Sequence, residues 1–339
     1  MASPDPPVPH GRSNQAVKAI GSGAYGTVYK ANDISQPGKF VALKKIRIPI
    51  DENGIPISIL REVALVRQLD RFEHPNIVRF LDVCHRSELG SEQHLQLCLV
   101  FEFVEMDLAK YIRRYPGGLP STKVKDIVFQ VLCGVDFLHS QRIVHMDLKP
   151  PNLLISEAGQ VKLADFGLAK VYDFGRRLTD KVVTLRYRSP EVLLNSSYGS
   201  AVDVWSVGCI FAELIRMEQL LPGTSERDQL EQILNLLGTP SEEQWPRDSP
   251  ILPQSFVSRP PMNLEELVPG LDPVGLSLLK KMLIFDQHDR ISANDAARHP
   301  YFENRPLPAI EFPPSRNLNA ISSPNVPAAS LGHRPVAQT

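Results

Sequence analysis

The sequence has no excess of charge of either sign: 37 Lys and Arg stand against 38 Asp and Glu. That leaves no coat for wrapping nucleic acid or gripping an anionic membrane surface. Cysteine is scarce. Cys84, Cys98, Cys133 and Cys209 are scattered, with no C-x-x-C pair. A disulfide framework or thiolate zinc site is therefore not expected, and the usage suits a reducing compartment. No apolar run is long enough to span a bilayer. The opening "MASPDPPVPHGRSN" lacks the apolar core of a signal peptide, and no internal repeat is visible. The expected setting is nucleus and cytoplasm. What the chain does have is 42% hydrophobic residues in 339, enough for a large core.

Composition divides the chain. Residues 1–13 and 303–339 are proline-rich and poor in large apolar residues, which predicts disordered tails. From Ala16 to about Leu99 come short β-like runs: "AVKAI", "GTVYKA", "KFVALKKI", "IVRFLDV" and "LQLCLVFEF". One helical pattern interrupts them, "PISILREVALVRQL", with Ile59, Val63 and Val66 on one face. Beyond Leu108 helical patterns dominate. "STKVKDIVFQVLCGVDFLHS" opens on Ser121, a cap candidate, and "VDVWSVGCIFAELI" is apolar nearly all round and so expected to be buried. A β-rich lobe followed by a helical lobe predicts an α+β, two-lobed enzyme with a cleft between the lobes.

Five stretches carry chemistry. In "IGSGAYGTVYKA", Gly21, Gly23 and Gly26 form G-x-G-x-x-G, followed by Val28. A dinucleotide-binding turn has the same spacing but opens a helix; these glycines lie between β-like runs. Taken alone, a phosphate-cradling loop and a flexible hairpin both remain open. In "FVALKKI", strand alternation puts Ala42 and Lys44 on one face, and Glu62 on the following helix is a candidate partner for Lys44. "VHMDLKPPN" offers Asp147 as a base for a hydroxyl proton and Lys149 as a nearby charge. Its Asn152, with Asp165 of "KLADFGLAK", supplies hard oxygens suited to Mg²⁺ held together with phosphates. Last comes "RYRSPEVLL", with Glu191 after Pro190.

In this order, over residues 14–302, the set resembles the eukaryotic protein-kinase signature. The resemblance implies the two-lobed protein-kinase fold, a β-rich N-lobe (14–103) with one regulatory helix and a mainly helical C-lobe (104–302), using ATP and Mg²⁺. Lys149 after Asp147 looks like the serine/threonine class. "PISILRE", "FEHPNIVRFLDVC", "VVTLRYRSPEVLL" and "EEQWPRD" resemble the cyclin-dependent kinases, most similarly their D-type-cyclin-dependent branch. That likeness implies a cyclin contact through Pro56, Ile57, Ser58, Ile59, Leu60, Arg61 and Glu62, with the cyclin bringing Glu62 to Lys44. Substrates would be protein Ser/Thr-Pro sites, with retinoblastoma-type proteins leading, and inhibitor proteins are possible partners. By the same matching, Ile20, Val28, Ala42 and Leu154 would sandwich the adenine. Phe101 would be the gatekeeper, the backbone of Glu102 and Val104 would bond the base, and Asp107 would lie at the ribose edge. Asp203 would hold the catalytic loop, and Arg290 would pair with Glu191. Val182, Val183, Thr184 and Arg188 would shape the substrate side. Thr179 and Tyr25 match an activating and an inhibitory phosphosite.

Several residues depart from that pattern. Met146 and Lys170 stand where the family has arginines that, with Arg61, cage the activation phosphate. Arg186 replaces a Trp, Pro151 a polar residue, and Asp180 often a Pro. Arg grips phosphate bidentately, Lys is a point charge and Met offers neither. The expectation is a working site with a weakened phosphate relay; the rival is a silent kinase-fold module that binds cyclin. "RLTDKVVTLRYRSPE" lacks the Thr-x-Tyr pair of mitogen-activated kinases. The tail's "RNLN" matches an R-x-L docking motif only by chance.

Overall fold

In the computed structural model, the described residues are 14–23, 26–33, 36–49, 57–88, 94–172 and 184–303. Tyr25, Pro56, Thr179, Asp180, Val182, Val183 and both proline-rich tails (1–13 and from 304) lie outside them.

Five strands form an antiparallel sheet: β1 (Asn14–Gly23), β2 (Gly26–Asp33), β3 (Phe40–Pro49), β4 (Phe80–Glu88) and β5 (His94–Glu102), in the order β1-β2-β3-β5-β4. Side-chain alternation in β3 separates two surfaces. Val41 and Leu43 join Ala31, Cys84, Cys98 and Val100 in a small outer core. Ile46 and Ile48 face the main core, on the side that also carries Ala42 and Lys44. Helix α1 (Ile57–Asp70) covers that side with Leu65, Val66 and Leu69, helped by half-buried Ile59 and Val63. Glu62 precedes Val66 by one turn, so it is carried inward on the same face. Fully burying a Leu or Ile of this kind is worth about 2–5 kcal/mol against Ala.

The "IVRFLDV" run is not all strand. β4 starts at Phe80, while Ile77 bridges to Leu163 and the Val78 N–H donates to the Leu163 carbonyl at 3.0 Å. These bonds tie the sheet side to the helical side.

The hinge β6 (Met106–Asp107) and α2 (Leu108–Ile112) lead into α3 (Ser121–Ser140). The expected Ser121 cap is not formed. Ser121 is already helical, Pro120 occupies the cap position, and its carbonyl accepts from the Lys123 N–H at 2.9 Å. Short strands follow: β7 (Ile143–Val144), β8 (Leu153–Ile155), β9 (Val161–Leu163) and β10 (Lys170–Val171). After α4 (Pro190–Leu193), α5 (Ala201–Arg216) forms the axis of the helical part. Every residue from Val202 to Ala212 is buried, as an all-round apolar helix requires. Then come α6 (Glu226–Leu237), α7 (Leu264–Leu267), α8 (Pro273–Met282) and α9 (Ala293–Ala297). Among the described residues no helix is long and apolar enough to cross a membrane.

Candidate active site

Lys44 is the centre of a three-way ionic contact. Its Nζ donates to Glu62 Oε1 at 2.6 Å and to Asp165 Oδ1 at 3.0 Å. Burial pushes the ammonium down, but the Asp165 and Glu62 carboxylates together outweigh this and hold it above its ordinary value. Burial likewise pushes the Asp165 carboxyl up, and Lys44, with His145 and Lys149, more than reverses it. Lys44 and Asp165 therefore keep a fixed charge across neutral pH. The resemblance implied a helix that waits for a cyclin; in the single chain Glu62 already reaches Lys44. The cause is local: Glu62 shares the face that buries Val66 and Leu69.

The catalytic loop hangs from α5. Asp203 accepts from the His145 N–H (2.8 Å), the Met146 N–H (2.9 Å) and His139 Nε2 (3.0 Å). These bonds hold Met146 at φ +66°, a left-handed conformation that costs a non-glycine residue about 1–3 kcal/mol. The Met146 side chain is sealed in the core. His145 Nδ1 accepts from the Asp147 N–H (3.3 Å), so its ring proton sits on Nε2, facing the Ala164 carbonyl at 3.0 Å. The ring lies 5.1 Å from that of Phe166. Two turns of backbone that are far apart in sequence are thereby locked together beside Asp165.

Asp147 is surrounded by donors. Oδ1 accepts from the Thr184 hydroxyl (2.7 Å) and N–H (3.2 Å). Oδ2 lies 2.8 Å from Lys149 Nζ and accepts from Asn152 Nδ2 at 3.0 Å. Lys149 Nζ also donates to Thr184 Oγ1 at 2.8 Å. A hydroxyl thus sits within proton-transfer reach of this carboxylate, the geometry a general base needs. Pro151 causes no defect. In the 3-10 turn Pro150–Asn152 the bonds used are Asn152 N–H to Lys149 O (2.9 Å) and Leu153 N–H to Pro150 O, so no donor is demanded of Pro151.

For a cation, the fit is of the open kind. Asn152 commits its amide NH₂ to Asp147, which turns its oxygen the other way. Asp165 gives one oxygen to Lys44, and 43% of its side chain is exposed. Among the described residues no cluster of three His, Cys, Asp or Glu forms a closed metal cage. Two hard oxygens in an open cleft suit Mg²⁺ shared with phosphates.

The nucleotide-side residues line the same cleft. Val28 pairs with Lys44 and Ala42 with Phe101 in the sheet register, and Leu154 pairs with Asp107 across β6 and β8. Val28, Ala42, Phe101 and Leu154 are half-buried, Val104 is buried, and Ile20 is exposed. Phe101 meets Phe80 edge-on. The glycines divide by role. Gly26, at φ +140°, would drive a Cβ to 2.1 Å from the Lys45 carbonyl oxygen, so the strand packing itself demands glycine. A Cβ at Gly21 would meet only Val28, at 4.0 Å, which leaves its cleft side open. Gly23 ends β1 opposite Gly26. The Glu102 N–H is already given to the Arg79 carbonyl (3.0 Å) and is not available to a base. Asp107 caps α2, accepting from the Lys110 N–H at 2.7 Å.

Sequence reasoning missed two partners. Lys162 holds Glu102 at 2.8 Å, and Tyr187 donates to Glu213 at 2.7 Å. The alternation of "VKLADFG" was the available signal for Lys162; nothing local marked the Tyr187 pair. On the substrate side, Arg188 pairs with Glu226 at 2.8 Å and Arg186 donates to Gln219. Glu191 and Arg290 meet in a bidentate pair of 2.7 and 2.9 Å, both side chains sealed. Arg61 is exposed on α1, and Lys170 lies in β10 opposite Val144 of β7.

The described cleft places a buried lysine, a helix glutamate, a catalytic-loop carboxylate and an Asp–Phe–Gly aspartate around one space, which defines an ATP-dependent phosphotransferase. Residues 14–302 match the family described as "Protein kinase domain". The chain is 50% identical over 293 residues to "Cyclin-dependent kinase 4" of Xenopus laevis, covering 86% of this chain and 91% of that protein. To the proteins of the same description in Ovis aries and Mus musculus it is 50% and 49% identical over 291 residues, covering 85% of this chain and 95% of theirs. The chain belongs to the protein kinases and, within them, to the cyclin-dependent serine/threonine kinases.

Proposed function

We propose that this kinase transfers the ATP γ-phosphate to Ser/Thr-Pro sites of protein substrates when bound to a D-type cyclin. Retinoblastoma-type proteins lead the substrate class, in G1 control, in nucleus and cytoplasm; inhibitor proteins complete the partner set. The supporting observation is the donor shell of Asp147, in which Lys149 and Asn152 hold one oxygen and the Thr184 hydroxyl, at 2.7 Å from the other, marks where a substrate hydroxyl would be in reach.

Asp147 accepts the acceptor hydroxyl's proton, and Lys149 places its charge against the group being transferred. Lys44, fixed by Glu62, grips phosphate oxygens, and Gly21 leaves room for them. Asn152 and Asp165 would hold Mg²⁺, which when bound neutralises charge on those oxygens. Ile20, Val28, Ala42 and Leu154 sandwich the adenine, with the Glu102 carbonyl and the Val104 backbone bonding the base.

Assay radiolabelled phosphate transfer by the cyclin D complex, with Asp147→Asn as control. The wild type should exceed the control by about 10²–10⁴. Equal rates would leave a cyclin-binding module instead.

A further inference from the structure

Beside the acceptor site lies a cavity of about 490 Å³ that begins at Lys149 and Thr184 and runs between α2 and the end of α5. Part of its wall is apolar: Ile112, Pro151, Leu185 and Met217. Four charged residues line it. Lys149 is neutralised by Asp147. Glu213 accepts from Tyr187; burial pushes its carboxyl up, against Tyr187 and Arg186, which lower it. Arg113 and Arg186 are exposed. Arg186 donates to the neutral Gln219, and neither arginine has an ion-pair partner among the described residues. The cavity therefore combines a partly apolar wall with two guanidiniums that lack a bonded carboxylate; the Glu213 carboxylate, held by Tyr187, offsets one of them and leaves a net positive lining. This matches an anion carried on a short aliphatic stem.

Resting on the kinase reading, we propose that this cavity is a substrate subsite for an anionic side chain, Asp, Glu or a phosphorylated residue, close to the acceptor Ser or Thr. The cavity shares Lys149 and Thr184 with the acceptor site. An extended peptide advances ~3.3 Å per residue, so the anionic residue falls within about three positions of the acceptor. A phosphate dianion carries more charge and more acceptor oxygens than a carboxylate, so phosphorylation at that position strengthens recognition beyond Glu. Pro151 serves here as wall, and a carboxylate in its place would cancel the arginines.

The test uses the cyclin-bound kinase and Ser-Pro peptides in which each position near the acceptor is in turn Ala, Glu, phosphoserine or Lys, reading kcat/KM. At one position Glu should exceed Ala by roughly three- to fivefold and phosphoserine by about tenfold, with Lys below Ala. Raising salt should shrink the ratios. In the double variant Arg113→Gln, Arg186→Gln the Glu-to-Ala ratio should fall to about one, and in Pro151→Glu it should invert toward Lys. Ratios near one or favouring Lys at every position in the wild type overturn the subsite, as does a Glu preference that survives the double variant. Failure of the wild type to phosphorylate any peptide overturns the kinase reading as well.

Discussion

The molecule carries two ionic centres of opposite character. Glu191 and Arg290 are sealed, at 1% and 0% side-chain exposure, and the guanidinium is further saturated by the carbonyls of Ile284, Ala201 and Phe285. Lys44, Glu62 and Asp165 form a centre of similar charge, but Asp165 stays 43% exposed. The first has no capacity left for a ligand and can only hold α4 to α5 and to the residues that follow α8. The second keeps a free carboxylate oxygen facing the cleft. Burial decides which ion pair is an anchor and which is an instrument.

The contrast can be broken from either side. The largest effect belongs to the anchor: Arg290→Met leaves a buried carboxylate and should cost about 3–5 kcal/mol in denaturant unfolding. A loss under 1 kcal/mol would mean the pair is not structural. In the cleft, Asp165→Asn should lower the phosphate-transfer rate by about 10²–10³ while leaving the unfolding midpoint nearly unchanged, because Lys44 keeps Glu62. A large loss of stability would erase the distinction.

A third, uncharged centre sharpens it. Burial, then the charge of Lys162, pushes the His74 imidazole from 6.5 down to about 4. The unfolded chain takes a proton there below 6.5, the folded chain only near 4. Stability is therefore whole above pH 6.5 and falls by about 3 kcal/mol as pH drops toward 4. Unfolding curves of wild type and His74→Gln across that window should show a clearly steeper slope in the wild type, the remainder belonging to His299, which burial also depresses.

The smallest effect concerns the activation phosphate. With the Met146 side chain in the core and Arg61 exposed, the gain from phosphorylating Thr179 should lack about 1.5–3 kcal/mol of charge-assisted ordering. In the cyclin complex, Thr179→Ala should cost less than about tenfold in rate. A hundredfold loss would show the relay intact.

Much of the candidate site was legible because its residues lie in short local patterns. Ala42 and Lys44 follow from alternation in a strand, and Glu62 from its place on the amphipathic helix that comes next. Ser121 misled for a local reason too: a good capping residue had already been taken into the helix behind Pro120. Pro151 looked disruptive only until the turn's bonds showed that no donor was needed there.

The sequence by itself determined the two-lobed plan, the family and the acid, base and cation set, since periodicity and motif order are properties of neighbours along the chain. Tertiary structure decided the rest. It put Thr184 on Asp147, Lys162 on Glu102 and Tyr187 on Glu213, and it closed Lys44 on Glu62 in the single chain. It also showed that the Lys45 carbonyl by itself demands a glycine at position 26. Each of these joins residues distant along the chain, and only packing brings their atoms within bonding distance.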